Sequence, residues 1–120
     1  MRSAPLPIFL APSLLLLLNT CDLSAQQRVR GVFTYGFEVM SFQPCGSAEC
    51  WWVSEGSQSI LHHSGAPQSP PPGQHLLTMY VELRGHVSPK GGYGHQGAYS
   101  RSLTVKEVLL VTAETPASCR

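Results

Sequence analysis

Arg28-Val29-Arg30-Gly31-Val32-Phe33-Thr34-Tyr35-Gly36-Phe37-Glu38-Val39-Met40-Ser41-Phe42 is the stretch whose reading decides the fold. Val29, Phe33, Tyr35, Phe37 and Val39 fall on one parity and Arg30, Thr34 and Glu38 on the other, the alternation of a strand with one buried face. Gly31 and Gly36 interrupt it. A glycine inside a strand marks a bulge or sharp coiling, which lets one long strand bend across a small barrel and pair on both sides. The Pro/Gly turn from Ser41 to Ser47 closes the stretch.

Working outward, Cys50-Trp51-Trp52-Val53 reads as a short apolar strand ended by Glu55-Gly56. Adjacent strand positions face opposite sides, so one tryptophan belongs in the core and the other on the barrel surface. Ser57 is placed to cap a brief helical turn through Ile60-Leu61-His62-His63, too short to be stable alone. Ser64 to Gln74, with Pro67, Pro70, Pro71 and Pro72, predicts an exposed polyproline-like loop. Leu77, Met79, Val81, Leu83 and Val87 then share one parity, and Thr78, Tyr80, Glu82, Arg84 and His86 the other, giving a strand with one core face and one wet face. Arg101 to Ala113 alternates at Leu103 and Val105 and shifts parity across Lys106-Glu107 to Val108 and Leu110, as a bulge requires. A Gly-rich connection, Pro89 to Ser100, joins these two strands. The pattern predicts an all-β chain: a small, partly open barrel of about five strands, OB-like, with a short helical turn, a long strand counting twice. A β-sandwich asks for ~7 short strands at even spacing.

The 120 residues hold one globular domain. Met1-Arg2 followed by the apolar run Ile8 to Leu18, with Leu14 to Leu18 all leucine, reads as a cleaved signal peptide over 1–25, and the domain occupies 26–120. The run is shorter than the ~20 residues of a spanning helix, and Pro5, Pro7 and Pro12 interrupt it. Two cleavage sites compete. Leu18-Asn19-Thr20-Cys21 resembles a lipobox, which would make Cys21 a lipidated N-terminus, and Leu23-Ser24-Ala25 suits ordinary cleavage before Gln26. Either leaves a nearly neutral chain, since the first removes Arg2 and the second Asp22 as well. With 12% charged residues and a formal charge of +1, the composition gives no basic footprint, so nucleic acid is not an expected partner and a membrane is met only through an anchor at Cys21.

After either cleavage Cys45, Cys50 and Cys119 remain, an odd number, which predicts one disulfide and one free thiol in an oxidising compartment. Cys45 with Cys119 would close a long loop and stabilise by roughly 4 kcal/mol in the chain-entropy model, whereas Cys45 with Cys50 would constrain much less.

Gly92-Tyr93-Gly94-His95-Gln96-Gly97 has the letters of a dinucleotide fingerprint, but the downstream Leu103-Thr104-Val105 is β-like and no βαβ unit fits, so no cofactor is expected. The same loop carries Tyr93, His95, Tyr99 and Arg101, a set of aromatic faces, an imidazole and a guanidinium that suits recognition, or else braces a long hairpin. His62, His63, His75, His86 and His95 lack the spacing of a defined metal site. No G-x-S-x-G elbow occurs, and neither Cys45 nor Cys50 has a base identifiable from sequence, so catalysis is not expected.

Gly36-Phe37-Glu38, Phe42-Gln43-Pro44-Cys45-Gly46, Trp51-Trp52-Val53, Tyr80-Val81-Glu82-Leu83-Arg84-Gly85 and Tyr93-Gly94-His95-x-Gly97-x-Tyr99-x-Arg101 together make the chain resemble small bacterial envelope proteins and lipoproteins. More distantly it is similar to the C-terminal OB-like domain of the lipoprotein NlpE. The resemblance covers most of Gly31 to Val111 and implies an envelope β-barrel with Cys45 paired to Cys119. The C-x-x-C of NlpE's N-terminal domain is missing and Cys50 is additional, so copper sensing and adhesion signalling are not carried over. The function expected is a non-catalytic envelope binding or structural module, periplasmic, membrane-tethered or secreted, that meets an envelope protein, glycan or small ligand. A metal-handling or envelope-stress protein is the alternative, and a small hydrolase the third reading.

Overall fold

The computed structural model describes residues 2–8 and 25–120. The lipobox-like site with Cys21 lies outside them, and of the second cleavage site Leu23 and Ser24 do. Five strands form the domain: β1 (Gln27–Gly36), β2 (Val39–Pro44), β3 (Trp51–Glu55), β4 (Leu77–Val87) and β5 (Arg101–Thr112), with one short helix, α1 (Ser57–Leu61), between β3 and β4. The ring runs β1-β2-β3-β5-β4 and returns to β1, a closed small all-β barrel in which only the β3–β5 pairing is parallel. The expected five strands and helical turn are present, and the ring is closed rather than partly open. Its shortest ladder joins β2 to β3 through Ser41↔Trp52 and Phe42↔Trp51.

The opening stretch is not one coiled strand. It breaks at Phe37-Glu38 into a hairpin, flanked by the pair Gly36↔Val39. A two-residue turn moves the inward parity from odd to even positions, so Phe33 and Phe42 pair across the hairpin and are both fully buried, while Phe37 is 88% exposed. Glu38 takes the left-handed backbone, φ 57°, that such a tight reversal needs. Gly31 does the coiling: a Cβ there would clash with the Gln43 carbonyl oxygen and the Phe42 ring.

The interior is apolar throughout, with Phe33, Phe42, Ile60, Met79, Val81, Leu83 and Leu103 at 0% exposure and, among the described residues, no buried polar or charged one. Ile60 enters this core from α1. Gly56 in left-handed geometry (φ 87°), and not Ser57, is the N-cap, and no side chain caps the helix, which ends before His62 and His63. On β5 the expected bulge is present, since Arg84↔Glu107 is followed by Gly85↔Val105 and Lys106 is extra. A second bulge follows, Glu82↔Leu110 next to Leu83↔Val108, and it turns Leu110 outward while Val111 is buried. Tyr80, on the expected wet face of β4, is buried beside a hollow lined by Leu110, Thr112 and Pro116. Cys45 and Cys119 form a disulfide with Cα atoms 4.4 Å apart, joining the end of β2 to a C-terminal 3-10 turn (Ala117–Cys119). Arg30 donates to the Ser118 carbonyl at 3.2 Å, holding that turn against β1.

Candidate functional site

The connection from Pro89 to Ser100 is an ordered arm. Tyr93 and Tyr99 exchange backbone hydrogen bonds in both directions, at 2.9 and 3.1 Å, Gly91 N–H donates to Ser100 O at 2.9 Å, and the Tyr93 hydroxyl donates to Pro89 O at 3.0 Å. A 3-10 turn over His95–Gly97 forms the tip, with Gln96 left-handed at φ 56°. The base is fixed to the barrel: Arg101 donates to Ser88 O at 2.9 Å, Ser88 N–H to Ser102 O at 2.9 Å, and Ser100 N–H to Cys50 O at 3.3 Å.

From that base the arm crosses the outer face of β3. Trp51 points inward and Trp52 outward, as adjacent strand positions must. Trp52 packs against Tyr99 with ring centroids 5.3 Å apart. Gly94 lies directly on the indole; with φ 69° and a Cβ that would run into the ring, no other residue fits that approach. At the tip, His95 Nε2 is 3.6 Å from Glu38 Oε2, so the arm reaches the β1–β2 turn. A tilted aromatic pair contributes about 0.5–1.5 kcal/mol beyond its buried area. The half-exposed His95–Glu38 contact, at 3.6 Å, adds less. The tip is thus held mainly by Trp52.

The four loop residues expected to act together separate into two groups. His95 meets Glu38 of the β1–β2 turn, and Tyr99 packs on Trp52 of β3. Tyr93 braces the arm internally, and Arg101 belongs to the base, where Glu49 sits between Arg101 Nε (3.9 Å) and Lys90 Nζ (3.5 Å) and accepts from Trp51 Nε1 at 3.4 Å. The cations nearest the arm are thereby matched to a carboxylate. Glu38, Gln96 and Glu49 were not legible as partners: Phe37-Glu38 reads as strand alternation, and Glu49 carries no spacing signal. Glu38 and Gln96 are the two non-glycine residues with left-handed backbone among the described residues, and they sit at the tips of the two loops that meet. Such conformations cost of order 1–3 kcal/mol each and cluster at ligand-contacting sites.

Cys50 is free and exposed, ahead of β3. His62, His63, His75 and His95 do not converge, and among the described residues no three His, Cys, Asp or Glu side chains gather in metal-holding geometry. Comparison with known protein families, curated proteins and solved structures finds no match for this chain.

Proposed function

We propose that the chain is an exported, non-catalytic binding module of a bacterial cell envelope, recognising its partner through the tip of the Pro89–Ser100 arm and the adjoining Phe37-Glu38 turn. The observation that carries this reading is the meeting of those two loops, each with a left-handed non-glycine residue, through His95 and Glu38. OB-type barrels recognise ligands with the loops that correspond to these two and with the face of strands two and three between them. An apolar interior leaves recognition to the outside of the barrel. The disulfide supports export, because structural disulfides persist in oxidising compartments. The N-terminal apolar run and the resemblance to envelope proteins support the envelope, with Cys21 as the lipid anchor if cleavage precedes it. The near-neutral charge favours an envelope protein, a glycan or a small ligand over nucleic acid.

The test replaces Pro89 to Ser100 by Asn-Gly and compares recovery of envelope partners with the wild type. The shortened chain is expected to keep its near-UV circular dichroism and a cooperative melt and to lose capture. Retained capture places recognition elsewhere, on the outward Thr78, Glu82 and Arg84 of β4; loss of the fold shows the arm to be a brace.

A further inference from the structure

We propose that the arm is a strap: a self-contained hairpin that lifts from the outer face of β3 and uncovers Trp52 while the barrel stays folded. The hydrogen bonds made by residues 91–99 all close within the arm itself: Gly91 to Ser100, Tyr93 with Tyr99 twice, Gly97 to Gly94, Ala98 to His95, and the Tyr93 hydroxyl to Pro89. None of those residues belongs to the buried core. What ties the tip to the barrel is side-chain contact alone, Gly94 and Tyr99 on Trp52 and His95 on Glu38, the last pair about half exposed on both sides. Lifting therefore breaks no backbone pairing, neither the arm's nor the barrel's. The natural hinge is the base, where Ser88, Ser100 and Arg101 stay bonded to the barrel and to each other. Segments held by few buried contacts open locally at far lower free energy than the fold as a whole.

Lifting changes what the molecule presents. In the closed state the indole face of Trp52 is occupied by Gly94, and the surface offers Phe37, Glu38, His95 and Gln96. In the open state the indole becomes a flat apolar face beside Ser41 on β2, with Lys90 and Arg101 still matched to Glu49. A ligand with flat, uncharged faces that enters under the arm would select that state in proportion to its differential affinity. The motion is measurable without any ligand, so this inference can fail or succeed independently of the binding reading.

Backbone and indole 15N relaxation dispersion on the oxidised wild-type domain tests it directly. Exchange with a minor state populated to about 1–10% is expected at Gly91 to Tyr99 and at the Trp52 indole, with flat profiles for the core strands. Gly94→Ala, whose methyl group collides with the indole, should shift the population to the open state, raising acrylamide quenching of Trp52 about twofold or more in a Trp51→Phe background with the melting temperature little changed. A wild type without dispersion in the arm, or with exchange shared by the core strands, overturns the proposal. So does a folded Gly94→Ala chain in which Trp52 is quenched as in the wild type. Should Gly94→Ala fail to fold, the wild-type dispersion decides.

Discussion

Ile60 stands on a helix of only five residues, Ser57–Leu61, without a capping side chain, yet it is fully buried. Such a helix is not stable by itself. It exists because Ile60 fills the barrel interior, so here packing creates local structure. Truncating a buried isoleucine costs about 2–5 kcal/mol, from lost transfer energy and the cavity left behind. Ile60→Ala is expected to lose an amount in that range in urea titration, and Leu110→Ala, 39% exposed in the native state, less than about 1 kcal/mol. Similar losses would show that α1 is an ornament and that the core closes without it. The same scale explains what alternation hides. Met40 and Phe42 are the inward pair of β2, but Phe37 and Val39 continue the odd parity of β1 in the sequence, and no Asn-Gly marks the turn. Glu38 reverses the chain in a conformation its residue type seldom adopts, so alternation alone predicts one strand where the chain forms a hairpin.

At the scale of elements, the strands were legible where one face is buried over many residues. β4 and β5 follow their apolar parity closely, and the bulge at Lys106 follows from the parity shift. The bulge at Leu109 does not, because Val108, Leu109, Leu110 and Val111 are all apolar and alternation is silent within such a run. The arm was legible as a glycine-rich connection but not as a hairpin lying back on Trp52, since Gly94 against an indole is a long-range contact with no local signature. The disulfide is the element-level tie with the largest expected effect. It joins residues 74 apart and pins the C-terminal turn to the β1–β2 hairpin. Closing a loop of that length in the unfolded chain stabilises by roughly 4 kcal/mol in the chain-entropy model. Cys119→Ser should therefore lower unfolding free energy by a few kcal/mol, and Cys50→Ser, at an exposed free thiol, by under about 0.5 kcal/mol. Equal effects of the two, measured under non-reducing conditions, would contradict the structural role of the bridge.

At the scale of the molecule, the described residues combine into a barrel with an apolar interior, the long-range Cys45–Cys119 disulfide and two loops that meet on one side, where we propose recognition. Barrel closure leaves no free sheet edge among the described strands, so contact by side chains is open to this fold and strand addition is not. The central claim is that this side faces the partner in the envelope. A photo-crosslinking residue placed singly at Phe37, at Gln96 and at Arg84, in protein exported by its native type of host, tests it most directly. The account predicts adducts of the same partner from Phe37 and Gln96, which flank the His95 and Glu38 contact, and none from Arg84, which is engaged with Glu107 on the outer face of β4. Adducts from Arg84 alone would contradict it.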